Sequence, residues 1–236
     1  MPHRYAAGAI PGFCPGPGRD KIPGMSTLAL LGLGFALGLR HAADPDHVIA
    51  VTAIASRYKR AGPAARVGAV WGLGHTLTLA LVGGGVILFN LAVPPRVALA
   101  FEFAVGIALT VVGMLNVAGR GGFASDVDPG AGIPSLRAFV MGLVHGLAGS
   151  AAVALLVLAT VREPVAGCLY LLVFGLGTLL GMTLITLSLA SPVALASRRW
   201  SWSGRGLRLA TGLVSLAFGA YVMFQTGWVE GLFGGN

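Results

Sequence analysis

Six stretches of the chain are apolar enough and long enough to cross a bilayer, and they leave room for little else. They run from Ser26 to Ser56, Val67 to Val93, Val97 to Ala118, Ala138 to Thr160, Val165 to Ala190 and Leu207 to Thr226. About 20 apolar residues span the hydrocarbon layer. Inside lipid every backbone N–H and C=O must be satisfied within the structure, so spans of this length are helices. The expectation is an all-α, polytopic membrane protein with about six transmembrane helices, residues 25–236 forming one domain. The composition agrees: 56% of residues are hydrophobic and 10% charged, against about 25% charged in an ordinary soluble domain.

The net charge of +8 would suit a nucleic-acid partner, but its placement argues otherwise. Ten of the sixteen Lys and Arg fall in three alternate loops: Arg57, Lys59, Arg60 and Arg66; Arg120 and Arg137; Arg198, Arg199, Arg205 and Arg208. Basic loops on alternate sides are what the positive-inside rule expects of cytoplasmic connections. They point to a multi-pass protein of the cytoplasmic membrane whose surroundings are lipid, with no nucleic acid involved. Residues Met1 to Gly24 hold five prolines and five glycines and lack a continuous apolar run, which reads as a disordered tail rather than a signal peptide. Its Arg4, Arg19 and Lys21 oppose the orientation set by the loops, and a start at Met25 would remove that conflict. Cys14 and Cys168 form no CxxC pair, so neither a disulfide framework nor a thiolate site is expected.

Against this background one segment stands out: His41-Ala42-Ala43-Asp44-Pro45-Asp46-His47, flanked by uncharged sequence from Val48 to Ser56 and from Met25 to Leu39. An ionisable residue at membrane depth costs on the order of 2.5–3.5 kcal/mol on insertion scales and marks an ion or substrate pathway by default. Two imidazoles and two carboxylates suit Ni(II), Co(II), Zn(II) or Mn(II), whereas Cu(I) would want a Cys or Met cluster. His41, Asp44 and His47 step by three and share a sector of a helix, from which Asp46 falls away. Pro45 removes a hydrogen bond and restricts Asp44, so a break in the first span is expected at Ala43 to Asp46, turning Asp46 towards the histidines. Freed backbone lining a cavity is a recurring way to build an ion site in a membrane.

The other membrane histidines, His75 and His145, belong to a repeat. Gly38-Leu-Arg-His41, Gly72-Leu-Gly-His75, Gly142-Leu-Val-His145 and Gly175-Leu-Gly-Thr178 share one signature. His41 to His145 is 104 residues and His75 to Thr178 is 103. Two halves of three spans each would superpose, and an odd number of spans makes the second inverted, giving a 3+3 inverted repeat. The counterparts of Asp44, Asp46 and His47 are Ala148, Ser150 and Ala151, so the charge lies in the first half. The candidate metal residues are therefore His41, Asp44, Asp46, His47, His75 and His145, although a histidine hydrogen-bonded to a neighbouring helix would also account for His75 or His145 alone. Arg40, four residues before Asp44, is placed to offset it; Glu102 either orients a ligand, carries a proton or lies at the interface; Ser150 and Thr178, with Thr76, Thr78 and Thr183, are polar candidates for the pathway wall.

These strings resemble a known family. His41-x4-Asp46-His47 after Gly38-Leu39-Arg40 is similar to the signature of the nickel/cobalt permeases. Trp71-Gly-Leu-Gly-His-Thr-Leu-Thr78, Gly142-Leu-Val-His-Gly-Leu-Ala-Gly-Ser150 and Phe174-Gly-Leu-Gly-Thr178 resemble its short bacterial branch of urease-accessory nickel permeases. The resemblance implies a permease in which His41, Asp46 and His47 recognise the metal with Asp44 and His75 near them, and a link to a nickel enzyme such as urease. Pro45 and the absence of the additional N-terminal span and long loops depart from the larger permeases.

The function expected is secondary transport of Ni(II), or of Co(II), with the metal as cargo and no prosthetic group. The chain has no phosphate-binding Gly-x4-Gly-Lys-(Ser/Thr) loop of its own. Protons would compete with metal for imidazole, weakening binding below about pH 6.5. Two other classes stay open: an intramembrane metal-dependent enzyme, for which the His-Glu-x-x-His spacing is missing, and a membrane accessory to metalloenzyme maturation, for which the longest loop, Gly119 to Ser135, is modest.

Overall fold

The computed structural model describes residues 26–56, 61–89, 94–119, 132–146, 163–199 and 203–234, and among these every regular element is helical. In chain order they are α1 (Thr27–His41), α2 (Pro45–Ala55), α3 (Ala61–Phe89), α4 (Pro95–Val117), α5 (Gly132–Gly146), α6 (Pro164–Arg199) and α7 (Ser203–Phe224), the last continuing into a π-helical turn, Gln225–Val229. Four of them, α3, α4, α6 and α7, are long and apolar enough to cross a membrane. The first apolar stretch is divided between α1 and α2, of 15 and 11 residues. At 1.5 Å per residue these measure roughly 22 and 16 Å, each short of a hydrocarbon layer of about 30 Å. The fourth stretch is described only as far as Gly146, and Ser150 and the Met1 to Gly24 tail lie outside the described residues.

The break in the first stretch falls where the proline requires it. α1 is capped at its start by Ser26, whose Oγ accepts from the Ala29 N–H at 3.2 Å, and it ends at His41. Asp44 is extended (φ −60°, ψ 146°) and Pro45 opens α2 at a position where its missing N–H costs nothing. Other boundaries outrun the apolar patterning. α3 begins six residues before Val67, and α6 continues past Ala190 through Pro192 to Arg199. Alanine and arginine, which recur in both extensions, prolong a helix beyond the lipid as readily as leucine does, because their helix propensities are as good.

The molecule is apolar outside and polar within. Leu73, Leu81, Leu172, Leu176 and Leu213 are exposed, whereas His41, His47, His75, His145 and Asn116 are buried. A soluble monomer does not present so much contiguous apolar surface; against lipid it is the expected arrangement. This is a helical membrane protein.

Glycines set the helix crossings. A Cβ on Gly38 of α1 would meet the Phe174 carbonyl and Thr178 N of α6, and one on Gly177 would meet the Phe35 carbonyl and Leu39 N in return. α3 and α5 cross in the same manner: Gly142 faces the Trp71 carbonyl and His75 N, and Gly74 faces the Phe139 carbonyl and Leu143 N. α4 and α7 meet through Gly106 against the Gly219 carbonyl and Gly113 against the Gly212 carbonyl. Without a hydrophobic drive between helices in lipid, such backbone-to-backbone approach supplies the packing. Hydroxyls add to it: Thr78 Oγ1 donates to the Leu143 carbonyl (3.1 Å), Thr76 Oγ1 to Gly175 (3.1 Å) and Ser215 Oγ to Leu109 (2.8 Å).

Candidate metal site

The crossings place the signature histidines side by side. His41 ends α1 three residues after Gly38, His75 follows Gly74 on α3, and His145 lies three residues after Gly142 on α5. The break at Ala42–Asp44 then brings His47, on the first turn of α2, back onto the same cluster. The His47 ring centroid is 4.8 Å from that of His41, 5.1 Å from His75 and 5.6 Å from His145.

His41 has both nitrogens engaged. Its Nδ1–H donates to Asp44 Oδ2 at 2.8 Å, since a carboxylate only accepts. The Nε2 of a neutral His41 is therefore a lone pair, and it faces His75 Nε2 at 3.0 Å. His75 supplies the hydrogen of that contact, which leaves its Nδ1 as an acceptor, and that atom has no partner among the described residues. Both nitrogens of His47 and both of His145 are likewise buried without a hydrogen-bond partner. His47 Nδ1 does lie 3.5 Å from Asp46 Oδ1, a distance that counts for an ion pair but not for a well-formed hydrogen bond. Each buried polar atom left unmade costs about 1–3 kcal/mol, so several in one place call for a ligand.

Two donor sets emerge, sharing one member. One ligand atom from each of His41, His47 and His75, all buried, lie within 4.8 Å of one another. The same holds for Asp44, Asp46 and His47, whose two carboxylates are partly open. Tetrahedral metal–imidazole bonds of about 2.0–2.1 Å put neighbouring nitrogens roughly 3.3 Å apart. The His41–His75 pair thus needs little adjustment to straddle an ion. His145 stands beside this trio, edge-on to Trp71 at 5.1 Å.

The remaining predicted residues are distributed as follows. Arg40 is exposed and makes no ion pair among the described residues; Asp44 is paired with His41 instead. Glu102 on α4 is half-buried, outside both donor sets, and within electrostatic reach of Glu230 and Asp46. Thr178 is buried, but its hydroxyl donates to the Phe174 carbonyl of its own helix at 3.0 Å; Thr183 does the same to Leu179 at 2.8 Å. The aromatic walls were not among the sequence candidates. Trp71, 5.9 Å from His47 by ring centroid, closes one side, and Phe174, 5.5 Å from His41, closes another. Their signal lay in the strings Trp71-Gly-Leu-Gly-His and Phe174-Gly-Leu-Gly-Thr, where each aromatic sits one helical turn before the signature's last residue.

Comparison with known proteins identifies the family. Residues 27–114, which contain α1 to most of α4, match a family model described as high-affinity nickel-transport protein (NicO). The urease accessory protein UreH of Bacillus sp. (strain TB-90) is 37% identical over 221 residues, covering 89% of this chain and 96% of that one. No solved structure matches.

Proposed function

The chain belongs to the high-affinity nickel-transport (NicO) family and is a nickel transporter rather than an enzyme; from that premise we propose that it is a secondary transporter of the cytoplasmic membrane in which His41, His47 and His75 form the transit site. The observation that carries the reading is the group of fully buried imidazoles with unpartnered nitrogens, His47 and His145 foremost, held between two aromatic walls. A dehydrated divalent ion satisfies the lone-pair nitrogen of each imidazole that binds it, and neutral imidazole suits nickel or cobalt better than the oxygen-seeking magnesium or calcium.

The two donor sets give the ion two stations. Asp44 and Asp46 with His47 receive it at the partly open rim, where carboxylates compensate for shed water. His47 then passes it to His41 and His75, which are closed to solvent. Asp44 plays a second part by holding the His41 ring through Nδ1, the carboxylate–histidine pairing that raises ligand basicity in metal sites. His145 stands beside the buried trio, and Glu102 and Arg40 contribute to neither station.

We further read residues 25–236 as one permease domain of six spans in a 3+3 inverted repeat. The support is the exchange of partners at the crossings. Gly38 against Phe174 and Thr178 becomes, after a shift of 104 residues for α1 and 103 for α6, Gly142 against Trp71 and His75. For α4 and α7 a shift of 106 turns Gly106–Gly219 into Gly212–Gly113. Rocking about such a two-fold would expose the site to either side. The name borne by UreH favours a role in supplying nickel to urease. Cellular nickel accumulation measured by mass spectrometry for His47→Ala and Asp46→Asn tests the site; wild-type accumulation in both would overturn it.

A further inference from the structure

The ligand helix α2 is the least self-supporting part of the proposed site. It joins α1 only through the non-helical Ala42–Asp44 link, and an isolated helix of 11 residues is marginal. What holds its far end is polar. Asn116 of α4, fully buried, donates from Nδ2 to the Ala53 carbonyl at 2.9 Å. That carbonyl is among the last four of α2, which have no partner within the helix; Ser56 Oγ also reaches it, at 2.9 Å. Thr211 Oγ1 of α7 lies 3.2 Å from Ser56 Oγ. Asn116 is itself pinned, because a Cβ on Gly212 of α7 would strike the Asn116 Cβ. Apolar contacts of Ala50, Val51 and Ala53 with Val105, Leu109 and Val112 hold α2 against α4 but permit sliding, whereas a directed hydrogen bond fixes both height and rotation.

We propose that Asn116 is a positioning residue for the nickel site, setting the register of α2 so that His47, six residues from Ala53, meets the histidines of α1 and α3. The inference rests on the reading of His47 as a ligand. A carboxamide enclosed at membrane depth is costly unless it serves a specific partner, and this one serves the helix that bears both Asp46 and His47. In the repeat, the counterpart of Asn116 is Val222 and that of His47 is Ala151, so clamp and ligand occur together in the first half and are missing together from the second.

The test uses the purified full-length protein, with nickel affinity by calorimetry, the visible spectrum of bound Co(II) as a report on coordination, and metal-free thermal unfolding. Asn116→Leu should weaken nickel binding about tenfold or more, the range typical of residues that orient metal ligands, and should alter the Co(II) spectrum. Ser215→Ala removes a different buried hydrogen bond of α4, one to α7 that does not touch α2; it should lower the unfolding temperature yet leave affinity and spectrum as in the wild type. Should Asn116→Leu not fold, Asn116→Ala carries the same expectation. Wild-type affinity and spectrum in the Asn116 variant, or an equal loss in Ser215→Ala, would overturn the proposal. His47→Ala run alongside separates the two ideas: if it loses nickel while Asn116→Leu does not, only the positioning role falls, and if it keeps wild-type affinity both fall.

Discussion

The Nε2 atoms of His41 and His75 face each other at 3.0 Å across two helices, though 34 residues separate them in the chain. α1 and α3 both pack on α6, and α3 crosses α5 as well, through glycines that let the helices approach closely. The cluster of imidazoles is thus a property of the crossings, and the ligands inherit their spacing from them.

Asp44 contributes to that spacing through His41 Nδ1 at 2.8 Å. Asp44→Asn should weaken nickel binding by about 10–100-fold, as loss of an orienting partner does, and His41→Ala should weaken it further. Calorimetric titration of the purified variants gives the order; an Asp44→Asn loss exceeding that of His41→Ala would contradict the assignment.

Gly38 should tolerate no side chain. Overpacking by one methyl costs about 1–3 kcal/mol, and here the obstacle is the Phe174 backbone rather than a movable side chain. Gly38→Ala is expected to lower the unfolding temperature in detergent and to depress nickel accumulation. Gly32, on the same helix with nothing within 4 Å of an added Cβ, is the control: its alanine variant should be neutral or gain the roughly 0.5–1 kcal/mol that alanine holds over glycine in a helix.

Trp71 lies edge-on to His145 with 5.1 Å between ring centroids, near enough for a paramagnetic ion among the histidines to quench its emission. Nickel titration should reduce the intrinsic fluorescence, and Trp71→Phe should abolish most of that change. Undiminished quenching in the variant would assign it to another of the four tryptophans.

Pro45 opens α2 and keeps Asp44 extended. Pro45→Ala relaxes that restriction and lets the first stretch favour a continuous helix, in which Asp46 turns away from the histidines. Nickel accumulation should fall several-fold while the protein still folds, with a small rise in helical circular dichroism.

The break at Pro45 and the meeting of the four signature segments were legible because each has a local cause, a proline and a glycine spacing respectively. The pairing of Arg40 with Asp44 was misread for a physical reason. Residues four apart face each other only on an unbroken helix, and the same proline takes Asp44 off α1, so His41 claims it. Asn116 carries no sign of function in the sequence, and Trp71 and Phe174 carry one only as the openings of their strings. An aromatic or an amide on an apolar helix looks the same whether it faces lipid, a neighbour or a ligand; the packing of α2 against α4, and of α1 against α6, decides between them.

His47 appears in both donor sets. A neutral imidazole has one lone-pair nitrogen to give, the other carrying hydrogen, so in the proposed path the rim and the buried trio are not filled together. The protein would handle nickel one ion per cycle, and a second ion arriving at the rim would find the doorway short of a ligand until the first had left. Such a device meters traffic by scarcity of donors and needs no moving barrier to keep the queue in order.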